Sequence, residues 1–149
     1  MTGGTALAVA MTAVAGLAGS VQVAIMGRFG ERIGVLEALA FSTALTALLA
    51  GGILLAARQS LGGYETALHV PKWLWLAGVM GLVVVLSITF AAPRIGATAT
   101  IGLLIAGQLT MGAVIDRYGL FGLEPIPIGT PRMLGIVLLA LGAALSLKR

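Results

Sequence analysis

The sequence has no cysteine and very little charge. Without cysteine, neither a disulfide bond nor a thiolate metal site can form. Charged residues make up only 9% of the 149 residues, whereas hydrophobic residues make up 59%. An ordinary soluble domain is about 25% charged, so this composition excludes that class and indicates a membrane protein. The single histidine, His69, lies in a polar connection, where a solvated residue is favoured over a metal ligand.

Long apolar runs take the place of the missing charge. A helix needs about 20 apolar residues to cross a hydrocarbon core about 30 Å thick. Lipid offers no hydrogen bonds to the backbone, and the runs lack the alternation of barrel strands, so each run is predicted to be a helix. The expected fold is all-α, one transmembrane domain over residues 1–149 with five membrane-spanning helices. The predicted spans are residues 5–27, 35–57, 73–92, 95–115 and 132–147.

The connections between these runs have distinct compositions. Arg28–Gly34 is short and charged, and Arg58–Lys72 is long and polar. Pro93 and Arg94 are expected to divide the third and fourth spans into a tight hairpin. The fourth connection, residues 116–132, is rich in glycine and proline and predicts no long helix. Trp73 and Trp75 mark a membrane interface, while Thr130 and Pro131 predict an N-cap and a first helical position.

The positive charges are almost evenly divided between the two sides that alternating spans would create. One side carries Arg58, Lys72, Arg117 and Arg132, and the other carries Arg28, Arg32, Arg94, Lys148 and Arg149. Orientation normally follows an excess of Lys and Arg in cytoplasmic loops. Two interpretations stay open. In the first, the chain inserts in both orientations and forms an antiparallel pair. In the second, the charge bias is simply weak, and the insertion machinery or a partner sets the orientation.

Small residues are frequent inside the predicted spans, with 22 glycines in the whole chain. Helices in lipid associate through close backbone approach, for which small residues three or four positions apart are suited. Plain helix packing is the simplest interpretation, and helix sliding in a transporter is the alternative. The candidate packing and interface positions are Gly16, Gly19, Gly107, Gly112 and Pro93.

Three segments resemble one known family. They are VQVAIMGRFGERIG, PKWLWLAGVMGLVVVLSITFAAPRIGATATIGLLIAGQL and IDRYGLFGLEPIPIGTPRMLGIVLLALG, which together cover nearly the whole chain. They are similar to the YdcZ-like family of the drug/metabolite transporter superfamily. The resemblance implies a half-size, five-span, multi-pass protein of the bacterial inner membrane that acts in efflux. Similar proteins tend to have asparagine before the Gly27-Arg28 pair, where this chain has Met26.

Two amides lie inside apolar runs. Gln108 is near the middle of the fourth span, and Gln22 is near the end of the first. An amide in hydrocarbon without a partner costs several kcal/mol, so each must face protein or a water-lined cavity. A hydrogen bond between helices and a place along a substrate path are both open for each of them.

Glu37 is the one acid inside a predicted span, which makes it a candidate functional group by default. It could couple transport to protons or balance a cationic substrate. The alternative is a favourable charge at a helix N-terminus, paired with Arg28 or Arg32. Thr46, on the same span, is a weaker pathway candidate because its hydroxyl can bond to its own helix backbone.

The function expected from these features is transport of a small organic solute by alternating access, with two halves related as an inverted repeat. The expected partners are the lipid bilayer, the solute, and a second copy or an oppositely oriented paralogue, with no nucleic acid and no cofactor. A small dual-topology ion channel and a non-transporting accessory subunit are the alternatives. An enzyme is not expected, because no span combines His, Cys or paired acids.

Overall fold

The computed structural model of the chain describes residues 3–60 and 62–147, and in these ranges it is helical with no strand. Six α-helices follow one another, and short 3₁₀ turns cover Lys72–Trp75 and Leu120–Gly122. The helices are α1 (Gly3–Ile33), α2 (Val35–Arg58), α3 (Gly62–His69), α4 (Leu76–Ile95), α5 (Ala97–Tyr118) and α6 (Thr130–Ser146).

Four stretches are long and apolar enough to cross a membrane: α1, α2, Lys72–Ile95 and α5. They contain the first four predicted spans or overlap them closely. Helix α6 overlaps the fifth predicted span, residues 132–147, but has only 17 residues, about 25 Å at 1.5 Å per residue. The all-helical fold is confirmed for the described residues, whereas a fifth span stays a prediction.

The predicted connection at Arg28–Gly34 is helical up to Ile33. Helix α1 continues through this charged stretch and ends only at Gly34. The φ of 102° and ψ of 150° at Gly34 lie in a region that is essentially restricted to glycine. The amide of Gly34 bonds to the carbonyl of Gly30, and the carbonyl of Gly34 accepts from Ala38 at 3.0 Å. A single residue therefore forms the whole connection.

The same corner recurs between α4 and α5, which corrects the predicted break at Pro93-Arg94. Pro93 lies inside α4, and the break falls at Gly96, with φ 85° and ψ 156°. The amide of Gly96 bonds to the carbonyl of Ala92 at 3.0 Å, and its carbonyl accepts from Thr100 at 3.1 Å. Proline removes only one amide donor close to the helix end, whereas the glycine conformation changes the chain direction.

The other two connections contain local structure that the sequence did not predict. The second includes the short helix α3, and the indole N–H of Trp75 donates to the carbonyl of Ala67 at 3.1 Å. In the fourth, the N-cap of α6 is Gly129 rather than the expected Thr130, with Pro131 in the first turn. Glycine also serves as an N-cap, and it needs no side-chain hydrogen bond to do so.

The described residues fall into two compact units, one within Met1–Ala24 and Ala91–Arg149 and the other formed by Ile25–Phe90. In the second unit, α1 passes close to α4 at Gly30, where an ideal Cβ would lie 2.7 Å from Cγ2 of Thr89. Thr89 is fully buried, and its hydroxyl donates to the carbonyl of Val85 at 2.7 Å. Phe29 and Phe41 pack edge to face, with ring centroids 5.7 Å apart.

In the first unit, α5 and α6 form an antiparallel hairpin. An ideal Cβ on Gly102 would lie 3.1 Å from the Cβ of Ala143. At the other end of the hairpin, Arg132 at the start of α6 donates to the carboxylate of Asp116. Most large apolar side chains of the described residues are exposed on the outside of the helices, as expected where lipid replaces water.

Candidate functional site

The two span amides are exposed on the surface of the single chain. Gln22 lies on α1, and Gln108 lies near the midpoint of the 22 residues of α5. Among residues 3–60 and 62–147, no side-chain hydrogen bond is made by either amide. Neither amide therefore forms a clasp between the helices that the structure describes, and both are available to a ligand, to water or to another chain.

Gln108 lies on the side of α5 that faces away from α6. The α6-facing side of α5 is marked by Gly102, whose added Cβ would lie 3.1 Å from the Cβ of Ala143. At about 100° per residue, Gln108 lies about a third of a turn from Gly102 and still farther from Ala99 and Ala113, which are 1% and 5% exposed. The face around Gln108 contains Leu104, Met111 and Gly112, and Met111 is 49% exposed.

Glu37 lies in the first turn of α2, immediately after the Gly34 corner. Its carboxylate folds back over Gly34 so closely that a Cβ on Gly34 would collide with it. The expected pair with Arg28 is not formed, because Arg28 donates to Glu31 at 2.7 Å. In the described part of the chain Glu37 has no ion pair, and its side chain is exposed near the start of its helix.

The hydroxyls of α2 are satisfied locally. Thr46 donates to the carbonyl of Ser42 at 2.9 Å, and Thr43 donates to the carbonyl of Leu39 at 2.8 Å. Thr46 is about two and a half turns from Glu37 and on the opposite side of α2. The structure therefore does not bring these two pathway candidates together.

Asp116 has a partner that the sequence did not identify. Its carboxylate accepts from Arg132, with the two side chains 22% and 41% exposed, and its carbonyl accepts from the amide of Ile126 at 2.7 Å. These contacts fold residues 119–129 back over the end of α5 and hold α6 beside it. In the sequence the nearest basic residue to Asp116 is its neighbour Arg117, and only the tertiary fold shows that Arg132 is the partner.

The glycines divide into those that pack within the chain and those that do not. Gly30 and Gly102 are in close contact with another helix, and Gly30 was assigned to a connection from its charged neighbours. The packing candidates Gly16, Gly19, Gly107 and Gly112 have nothing within 4 Å of an added Cβ. Any packing role for these four would involve a surface outside the single chain, and it stays a prediction.

No metal-binding group of three or more His, Asp or Glu side chains is present in the described ranges. His69 is exposed in the last turn of α3, where its Nδ1 lies 2.9 Å from the carbonyl oxygen of Glu65. This contact lies within its own helix and agrees with the expectation of a solvated residue.

One family model matches the sequence over residues 7–145, and its description is "Putative inner membrane exporter, YdcZ". No curated protein and no solved structure matches the chain. The match covers α1 from residue 7 onward, the other three membrane-length helices and most of α6, so it includes both amides and the Asp116–Arg132 pair.

Proposed function

The chain belongs to the YdcZ family of inner membrane proteins, and from this premise we propose that it is a half-size exporter working as an antiparallel dimer. In this proposal, alternating access of the dimer moves a small organic solute across the membrane. Gln22, Gln108 and Glu37 contribute polar groups to the path, and Thr46 contributes at most an acceptor lone pair, since its proton is used within α2.

The observation that carries the proposal is the pair of amides on otherwise apolar helices. Gln22 and Gln108 are exposed on α1 and α5, where contact with lipid would cost several kcal/mol for each unpaired amide. Each amide has two donors and one acceptor oxygen. A path lined by such amides suits a solute that carries its own hydrogen-bond donors and acceptors, because a neutral amide can bind these groups whatever the charge of the solute.

Glu37 supports a second feature of the proposal, which is the binding of a charged solute or of a coupling ion. Its carboxylate is exposed and unpaired within the described ranges, beside the one-residue corner at Gly34. Acidic residues in membrane-spanning segments often bind protons or cations during transport. In this proposal Glu37 meets the solute or the coupling ion at the entrance of the path rather than at its centre.

The antiparallel dimer is supported by the length of the chain and by its charge distribution. Many transporters consist of two halves of inverted orientation with the binding site near the midplane between them. A chain of 149 residues is long enough for one half. Because positive charge is nearly equal on the two predicted sides, the chain lacks the bias that would give it one orientation.

The proposal is tested by solute flux in liposomes that contain only the purified protein. Vesicles loaded with a mixture of labelled amino acids, small amines, nucleosides and organic acids are assayed for export with and without a proton gradient. We expect saturable export of at least one class. Gln108→Leu should lower the rate at least tenfold, while Thr110→Val, at the same depth on another face of α5, should leave it within about twofold.

Each alternative function gives a different result in the same assay. A current that rises linearly with ion concentration and does not saturate would replace the exporter by a channel. No flux until a second membrane protein is added would indicate the accessory role. Saturable export that is equally fast in Gln108→Leu and wild type would retain the exporter but exclude Gln108 from its path.

A further inference from the structure

We infer that Gln108 lies on the two-fold axis between two antiparallel copies of this chain and hydrogen-bonds to the Gln108 of the other copy. The inference rests on the dimeric exporter proposed above and adds the contact that holds the dimer together. It commits to a second copy as the occupant of the α5 face around Gln108, the face that points away from α6.

The position of Gln108 along its helix is the first argument. It lies near the midpoint of α5, which runs from Ala97 to Tyr118. In an antiparallel pair whose axis lies in the membrane plane, only a residue near the midplane meets its own copy. Residues above and below the midplane meet different residues. Gln108 is the residue with a polar side chain long enough to reach across at that depth.

The chemistry of the amide is the second argument. A glutamine side chain offers an acceptor oxygen and an NH₂ donor, so two copies related by a two-fold axis form a reciprocal pair of hydrogen bonds. Lipid offers neither a donor nor an acceptor. Because Gln108 is exposed and makes no side-chain hydrogen bond in the described ranges, a second copy supplies one donor and one acceptor to it. The second N–H of each amide stays available to the solute of the path proposed above.

The shape of the surrounding face is the third argument. Around an axis at Gln108, Leu104 of one copy meets Gly112 of the other, and Ile105 meets Met111. Nothing lies within 4 Å of a Cβ added to Gly112, whereas the space over Gly102 on the same helix is filled by Ala143. The open space over Gly112 is thus on the face that a second copy would cover, and its place along the helix matches a leucine from that copy.

The experiment uses single cysteines, which is direct because the natural chain has none. Gln108→Cys is oxidised with copper phenanthroline in native membranes, and dimers are counted on a non-reducing gel. We expect Gln108→Cys to cross-link to itself. Ile101→Cys and Ile115→Cys, about two turns before and after it, should each fail alone and cross-link to each other when two differently tagged copies are co-expressed.

The matched control is Thr110→Cys, an exposed position at nearly the same depth but on another side of α5. It should not cross-link. Strong self-linking of Ile101→Cys alone would show a parallel pair and overturn the inference. Linking of Thr110→Cys in place of Gln108→Cys, or linking of none of them, would also overturn it, because the α5 face would then be covered by something other than a second copy.

Two further variants separate the amide contact from the shape of the face. Gln108→Leu should weaken the dimer about 3- to 30-fold, as measured by dilution of donor- and acceptor-labelled copies in liposomes. Gly112→Leu should prevent dimer formation, and the exchange variant with both Leu104→Gly and Gly112→Leu should restore it, since the two positions meet across the axis. Failure of the exchange to restore the dimer would contradict the antiparallel register.

The flux assay shows which proposal has failed. Saturable export by a chain that does not cross-link at Gln108 would leave the exporter standing and remove this interface. Cross-linking at Gln108 without any flux would confirm the interface and remove the exporter.

Discussion

At the scale of single residues, α1 passes close to α4 where Gly30 faces Thr89. A Cβ added to Gly30 would lie 2.7 Å from Cγ2 of Thr89 and 3.5 Å from its carbonyl oxygen. Thr89 has little freedom to move, because it is 0% exposed and its hydroxyl is bonded to Val85. The methyl of Thr89 thus occupies the space that the missing side chain of Gly30 leaves.

We therefore expect Gly30→Ala to lower the free energy of unfolding by about 1–3 kcal/mol, the usual cost of overpacking. Removal of the opposing methyl in Thr89→Ser should recover most of that loss in the double variant, because the serine hydroxyl can still bond to Val85. The measurement is equilibrium unfolding in detergent micelles.

Gly52→Ala is the matched control for helix propensity, since nothing lies within 4 Å of a Cβ at that position on α2. It should be neutral or stabilising by up to about 1 kcal/mol. If Gly30→Ala behaved like this control, the close packing of α1 against α4 at Thr89 would be wrong.

At the scale of elements, two helical pairs are joined by one glycine each. Gly34 and Gly96 have nearly the same backbone conformation, and in each case the amide closes the preceding helix while the carbonyl begins the next. The triplet Arg-Ile-Gly precedes both new helices, at residues 32–34 and 94–96. A one-residue corner leaves little conformational freedom, so the backbone conformation at each of these two corners is narrowly defined.

We expect Gly96→Ala to lower the free energy of unfolding by about 1–3 kcal/mol, although there is open space around the added methyl. The cost arises from the backbone, because residues other than glycine are strained at a φ of 85°. Pro93→Ala should be neutral or stabilising, since Pro93 lies inside α4 and its replacement restores an amide donor. Unfolding in micelles measures both variants. If Pro93→Ala were less stable than Gly96→Ala, the helix break would depend on Pro93 rather than on Gly96.

The sequence predicts the helices better than their ends. The lipid surroundings determine the predicted spans, because a run of about 20 apolar residues in lipid can form all its backbone hydrogen bonds only as a helix. Charge does not end a helix, so α1 continues through Arg28 and Glu31 to Ile33, where charge suggested a connection. A glycine conformation ends it, and no composition rule distinguishes Gly34 or Gly96 from glycines inside helices such as Gly52.

For a related reason, the sequence predicts the residues of the candidate site better than it predicts their contacts. Gln22, Gln108 and Glu37 were identified from the sequence because a polar group in an apolar run is costly whatever surrounds it. Their contacts could not be predicted in this way. The bond between Asp116 and Arg132, and the absence of a bond between Glu37 and Arg28, depend on how helices meet in space.

At the scale of the whole molecule, the nearly equal positive charge on the two predicted sides should make the orientation of the chain easy to change. Adding two positive charges to the 58–72 connection, with Glu65→Lys and His69→Lys, and removing two from the other predicted side, with Lys148→Ala and Arg149→Ala, leaves six positive charges against three. This variant should direct the 58–72 connection to the cytoplasm. A second variant with Arg58→Ala and Lys72→Ala leaves two against five and should direct the connection to the other side. The four side chains changed in this connection are exposed, and charge in short loops near the ends of spans sets orientation. Reporters within this connection and after Arg149 measure the outcome.

The antiparallel homodimer predicts a specific behaviour for these two variants. Each variant alone contains copies of one orientation only, so neither should cross-link through Gln108→Cys or export solute. Co-expression of both supplies the two orientations again, and cross-linking and export should return together, because the inverted pair needs one copy of each. If either variant alone were as active as wild type, one orientation would be sufficient for function, and a parallel assembly or a single chain would replace the antiparallel pair.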